Sequence, residues 1–110
     1  MTTYIVDRCY DRYIITLTQD DADGVPSILR DTEEAAAVGL LSETLLLALE
    51  DHRAAGRLRA CRVSAEEDSL VVDAEAAHGY EDYLSAMVDT VTTGMTLLAE
   101  RYPDAVAVEC

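Results

Sequence analysis

Residues 33–55, EEAAAVGLLSETLLLALEDHRAA, form the stretch that decides the fold, because a long helical pattern here is flanked on both sides by strand patterns. One apolar stripe recurs at helical spacing and predicts a face that packs on a sheet: Val38, Leu41, Leu45 and Leu49. Asp31 or Thr32 is the expected N-cap, and Glu34 is placed to close a capping box on Asp31. Gly56 is expected to end the helix.

Two further leucines of this helix, Leu40 and Leu47, form a second stripe outside the first one. The helix is therefore apolar around a wider arc than one face of a sheet would cover. We expect its second side to be buried by another helix or by a second copy of the protein. Leu40 and Leu47 are accordingly the candidate partner-binding residues.

The residues before this helix predict a β-hairpin followed by a loop. Tyr4–Val6 and Tyr13–Thr18 are the two extended segments, and apolar and polar side chains alternate in the second of them. Residues 19–31 have no period and contain Gly, Pro and three acids, which is typical of a loop. Part of it imitates a calcium-binding EF-hand loop, but Arg30 stands where a bidentate Glu is required, so the motif fails.

The residues after the helix predict a second hairpin, a second helix and a last strand. Leu58–Ser64 and Leu70–Glu75 flank an acidic turn. A helix over Tyr80–Arg101, stopped by Pro103, carries one apolar stripe, made of Leu84, Met87, Val88, Val91, Met95, Leu98 and Tyr102. Ala105–Glu109 is the final strand.

The predicted order of elements is strand, strand, helix, strand, strand, helix, strand. This order gives an α+β fold of two layers, with a mixed sheet and both helices on one of its faces. The length of 110 residues fits a single domain over residues 1–110. Two patches of small residues predict close approaches between helices: Ala35 and Gly39 in the first helix, and Ala86, Thr90 and Gly94 in the second.

The composition is strongly acidic, with 22 acids against 8 bases, all of them Arg, and a formal net charge of -14. Direct binding to DNA or RNA is disfavoured, because phosphate contacts need clustered positive charge. The one basic cluster is small and has acids near it in sequence: Arg53, Arg57, Arg59 and Arg62. The acidity is either a solvated surface or the working surface of a nucleic-acid mimic that binds a basic protein.

Location and cofactors follow from what the sequence lacks. No stretch approaches the roughly 20 apolar residues of a membrane span, and the N-terminus has no export signal. The three cysteines, Cys9, Cys61 and Cys110, form no CxxC pair and suit a reducing compartment, so we expect a cytoplasmic protein. Motifs for phosphate loops, dinucleotides and metals are absent, so neither a cofactor nor a metal is expected.

The segment Thr93–Glu109 resembles the closing helix and strand of the ribosomal-processing cysteine protease family, Prp. That family's helix carries a Gly-Leu step and then Leu-Ala-Glu-x-Tyr-Pro before a short strand, and residues 98–103 of this chain read LAERYP. The order of elements is also similar over nearly the whole chain. The resemblance implies the Prp fold and a capacity to self-associate.

The same resemblance implies that the catalytic residues of the family are missing. The family has a Cys-Ala-Ala-Val-Ser run at the start of its first helix, and Ala36-Ala37-Val38 aligns with the three residues after the cysteine. Ala35 then stands at the nucleophile position. The family's Gly-His-Ala segment corresponds to residues 23–26, DGVP, so the histidine is also absent, and neither His52 nor His78 lies near that stretch in sequence.

Physical chemistry agrees, because Glu33 and Glu34 beside Ala35 would disfavour a thiolate at this helix start. We therefore expect a non-catalytic binding or regulatory module, Prp-like in fold and homodimeric through its apolar helices. The alternative is the acidic mimic with a basic protein partner. An active hydrolase that uses Cys9 or Cys110 with His78 ranks third, since nucleophile and base need only meet in space.

Overall fold

The structure, a computed structural model, describes residues 1–19, 33–66 and 68–109 of the chain. Its elements are β1 (Thr2–Cys9), β2 (Arg12–Gln19), α1 (Glu33–Ala54), β3 (Leu58–Ala65), β4 (Ser69–Ala76), α2 (Glu81–Arg101) and β5 (Val106–Glu109). The predicted order of elements is confirmed. Strands β1 to β4 are longer than predicted, and most residues added to β1 and β2 are polar. Gln19, which was predicted to begin the loop, is the last residue of β2.

Several sequence predictions lie outside the described residues. They are the loop after Gln19, the N-cap at Asp31 or Thr32, the stretch over residues 23–26 and the thiol of Cys110. The acidic turn of the second hairpin is described except for Glu67.

The five strands form one mixed sheet in the order β3-β4-β2-β1-β5. Both predicted hairpins are confirmed, since β1 pairs with β2 and β3 pairs with β4, each antiparallel. Strand β2 joins the two hairpins by pairing with β4, and β5 adds to β1 as the parallel strand. The first hairpin turns at Tyr10, whose φ of 58° lies in the left-handed region.

Both helices lie on one face of this sheet, as predicted, and bury one core against it. The core takes alternate residues of β1, β2 and β4, one residue of β5 and one stripe of each helix: Tyr4, Val6, Tyr13, Ile15, Leu17, Val72, Ala74, Ala76, Val106, Val38, Leu45, Leu49, Leu84, Val88, Val91, Met95 and Leu98. The other face carries half-buried Ile5, Ile14 and Val71, which alternate with the core residues.

The two helices contact each other at Gly94 of α2. A Cβ atom added there would lie 2.9 Å from Cδ2 of Leu41 on α1, so the close approach predicted for Gly94 is confirmed. At Gly39, which is exposed, an added Cβ would meet no atom of the described residues within 4 Å. The described chain therefore makes no close approach there, and an approach by a second copy stays a prediction. Gly39 lies on the side of α1 that points away from the sheet and from α2.

Candidate functional site

The first turn of α1 holds the position that the family resemblance assigns to the nucleophile. Helix α1 begins at Glu33, and Ala35 follows in its first turn, half-buried. The hydroxyl of Tyr102, at the end of α2, donates a hydrogen bond to Oε2 of Glu33 at 3.1 Å, which raises the pKa of Tyr102. Glu33 therefore places a negative charge in the same helix turn as Ala35, and a nearby negative charge disfavours thiolate formation.

The two cysteines in the described part of the chain have different environments. Cys9 is the last residue of β1 and is exposed. Cys61 lies in β3 and packs at the margin of the core. Burial raises the pKa of the Cys61 thiol, although the nearby Arg53 acts in the opposite direction. A raised pKa is the reverse of what an activated nucleophile needs, and it is what a cysteine that packs as a small hydrophobic residue is expected to show.

Alkylation should rank the two thiols. At pH 8, iodoacetamide should modify Cys9 faster than Cys61, because Cys61 is less accessible and its thiolate is disfavoured by burial. Peptide mapping by mass spectrometry measures both rates, and a sample unfolded in guanidinium, where the two rates should be similar, provides the control. Selective labelling of Cys61 in the folded chain would contradict this prediction, because it would show that burial does not suppress the reactivity of that thiol.

The two histidines lie at the end of the domain away from Ala35. His52 is in the last turn of α1, about 25 Å from Ala35 along a helix that rises about 1.5 Å per residue. His78 is exposed in the turn before α2, with Nδ1 3.9 Å from Oε1 of Glu81. The structure therefore does not bring either imidazole to the position that the family resemblance assigns to the nucleophile.

The predicted partner-binding residues, Leu40 and Leu47, are both exposed on the outer side of α1. Their exposed fractions are 67% and 68%, so α2 does not cover them. They are seven positions apart, which is close to two helical turns, and they lie on one face about 10 Å from each other. We call this surface the outer face of α1 and define it by Leu40, Leu47 and the exposed residues Ala36, Glu43 and Thr44.

Many carboxylates of the described chain remain at the surface, while others are bound by arginine. Arg12 binds Asp73 through two hydrogen bonds of 2.8 and 2.5 Å, which lowers the pKa of Asp73. Arg53 binds Glu50 in the same way on α1 and lowers the pKa of that carboxyl. Both pairs are exposed, so their contribution to stability is small.

A cluster that sequence reasoning missed lies where the end of α1 meets the start of α2. Arg57 stacks on the ring of Tyr83 and approaches His52, while Tyr80 packs beside Tyr83. His52 and Arg57 lie far from Tyr80 and Tyr83 in sequence, so the sequence does not show that the two pairs meet. We call these four residues the Arg57 cluster.

In residues 1–19, 33–66 and 68–109, no group of three His, Cys, Asp or Glu side chains is arranged to hold a metal ion. Neither of the two described helices has the length and apolar character that crossing a membrane requires.

Comparison with known proteins identifies a structural relative. The crystal structure of SMU.848 from Streptococcus mutans matches 99% of this chain and 92% of its own, with a TM-score of 0.66 and 17% sequence identity. At this identity the match shows a shared fold. No protein-family model matches the sequence, and no curated protein matches it either.

Proposed function

We propose that this protein is a non-catalytic, Prp-like binding or regulatory module that forms a homodimer through the outer face of α1. The observation that carries the proposal is the exposure of Leu40 and Leu47 together on one helix face. Isolated exposed leucines are common on proteins, but a pair two turns apart on a helix is the pattern of a helix that packs on a partner. A second copy would bring an identical pair, since a two-fold interface uses the same patch twice.

Three observations on side chains support the proposal that the protein is not catalytic. The side chain of Ala35 has no nucleophilic group. Glu33, in the same helix turn, accepts a hydrogen bond from Tyr102, and burial raises the pKa of the Cys61 thiol. We also propose a cytoplasmic location, because three cysteines without a CxxC pair suit a reducing compartment.

The substitution Leu47→Glu should dissociate the dimer, and Leu40→Glu should do the same. A carboxylate placed in an apolar contact loses hydration without gaining a partner, which costs several kcal/mol and weakens dimerisation about 100-fold or more. Analytical ultracentrifugation over a range of protein concentrations measures the effect. Val63→Glu is the matched control, because Val63 is an exposed apolar residue on the edge strand β3 and gains the same charge.

Two results would contradict the proposed interface. One is a monomeric wild-type chain at every concentration tested. The other is dissociation by Val63→Glu but not by Leu47→Glu, which would move the contact to the edge of the sheet. Circular dichroism establishes that each variant is folded, which is expected because all three side chains are exposed in the monomer.

The second candidate function, an acidic mimic that binds a basic protein, is supported by the net charge of -14. The dependence of binding on salt concentration distinguishes the two candidate functions. Binding between an acidic surface and a basic partner weakens as the ionic strength rises. The dimer should instead tighten with salt, because Glu33, Glu43 and Asp51 lie around its leucines and would repel the same residues of the second copy.

A further inference from the structure

The Arg57 cluster lies apart from the outer face of α1 and joins three elements of the fold. His52 is in the last turn of α1, Arg57 directly precedes β3, and Tyr80 and Tyr83 lie at the start of α2. Two glycines shape the adjoining turns, Gly56 with φ of 73° and Gly79 with φ of 90°. The turns therefore bring residues distant in sequence to one surface.

The guanidinium of Arg57 is held in a fixed position. Its Cζ lies 5.1 Å from the centroid of the Tyr83 ring, and Nη1 is 3.3 Å from Nδ1 of His52. The backbone of Arg57 is also bound, because its N–H donates to the carbonyl of His52 and its own carbonyl accepts from the N–H of Ala77, both at 2.9 Å. A side chain held in this way pays little further entropy when it binds a ligand.

The charge of Arg57 is not neutralised by any carboxylate of the described chain, although the protein has 22 acids. Four other arginines each bind one: Arg8 binds Asp89, Arg12 binds Asp73, Arg53 binds Glu50 and Arg59 binds Glu75. The nearby carboxylate of Glu81 accepts from the backbone N–H of Gly79 at 2.9 Å and lies beside His78. Arg57 is half-buried, and within the described part of the chain its side-chain donors other than the one facing His52 have no hydrogen-bond partner and can bind a ligand.

The two tyrosines supply an apolar surface beside this charge. Tyr80 and Tyr83 pack with ring centroids 5.6 Å apart, and their exposed fractions are 38% and 52%. The ring of Tyr83 also packs edge to face on the ring of His52, with the two ring centroids 6.3 Å apart. Tyrosine and arginine are the residue types that contribute most to binding surfaces, because they combine contact area with directional hydrogen bonds.

We propose that the Arg57 cluster binds an oxyanion carried on an aromatic ring, either a carboxylate or a phosphate monoester. Arg57 pairs with two oxygens of the anion through its planar edge. The ring of the ligand packs on Tyr80 and Tyr83. This site uses different residues from the proposed dimer contact, so either proposal can fail without the other.

The test is a titration of the ¹⁵N-labelled full chain at fixed ionic strength with phenyl phosphate, and separately with benzoate. We expect chemical-shift changes centred on Tyr80, Tyr83 and the Nε–H of Arg57. Arg57→Gln should weaken binding about tenfold or more, since it removes a charge-assisted hydrogen bond. Arg101→Gln is the matched control, because it removes the same charge from an exposed position at the end of α2 and should leave affinity within about twofold.

Further variants and probes separate the parts of the proposal. Arg57→Lys keeps the charge but lacks the planar fork, and should bind more weakly than wild type. Tyr83→Phe should bind nearly as well as wild type, while Tyr83→Ala should not. The amide spectrum of each variant reports whether it is folded. Whichever of phenyl phosphate and benzoate binds with higher affinity identifies whether the site prefers a phosphate monoester or a carboxylate.

Four results would overturn the site. They are no binding of either probe, shift changes centred elsewhere, an equal loss of affinity in Arg101→Gln, and inorganic phosphate that binds as tightly as phenyl phosphate. The last result would show that the tyrosines contribute nothing to the ligand.

Discussion

Replacing Tyr4 by Ala should lower the free energy of unfolding by about 3 to 5 kcal/mol, the largest effect we expect from a single truncation in this protein. Tyr4 lies on β1 between Leu17 of β2 and Val108 of β5, and it is almost completely buried. Its hydroxyl also lies 3.0 Å from Oγ1 of Thr92 on α2. The substitution therefore leaves a cavity between sheet and helix and removes a hydrogen bond that joins them.

Two further substitutions show how much of this loss comes from the hydroxyl of Tyr4 and whether its burial causes the rest. Tyr4→Phe keeps the ring and should cost only about 1 kcal/mol, the value of one hydrogen bond. Tyr10→Ala removes an equal ring from the exposed turn of the first hairpin and should change stability by less than about 0.5 kcal/mol. Urea unfolding measures all three variants. A loss below about 1.5 kcal/mol for Tyr4→Ala would show that Tyr4 is not the centre of the core.

Replacing Gly94 by Gln should destabilise the protein by about 1 to 3 kcal/mol, whereas the same change at Gly39 should stabilise it by roughly 0.5 to 1 kcal/mol. Both glycines are inside helices, where Gln is the better helix former. At Gly94 the new Cβ would lie 2.9 Å from the side chain of Leu41, but at Gly39 it would meet nothing within 4 Å among residues 1–19, 33–66 and 68–109. Comparing the two substitutions therefore separates the effect of helix propensity on stability from the effect of packing between the helices.

The substitution Leu41→Ala provides the second arm of this experiment. In that background the steric conflict at residue 94 is gone, so Gly94→Gln should cost much less than it does in the wild type. A double-mutant cycle from thermal or urea unfolding measures the coupling between the two positions. If the cost at Gly94 is the same in both backgrounds, Leu41 is not the cause, and the contact between the helices is looser than the structure indicates.

Local patterns in the sequence were sufficient to predict the elements and the inner side of β2, α1 and α2. Alternation in β2 placed Tyr13, Ile15 and Leu17 on one face, and all three are buried. Helical spacing likewise predicted the buried stripes of α1 and α2. These predictions succeed because burial of one face imposes a period of two on strands and 3.6 on helices.

Contacts between distant residues were not predictable from such patterns. Nothing in the sequence of β2 indicates that its second neighbour is β4, since that pairing joins two separate hairpins. Gly39 and Gly94 look alike in sequence, and only the packing of α2 distinguishes them. Arg57 and Tyr83 likewise meet through the fold alone. The outer face of α1 was predicted as an apolar stripe, and its burial by a second copy stays a prediction.

The pairing of the first strand with the last has a consequence for biosynthesis. Thr2 lies opposite Val106, and Ile5 lies opposite Glu109, so β1 gains its second neighbour only from residues translated near the end of the described chain. Until then one side of β1 exposes unpaired N–H and C=O groups, which other chains can join. The sheet can therefore be completed only after the ribosome has translated β5. Until then, the nascent chain must avoid pairing its β1 strand with a strand of another chain.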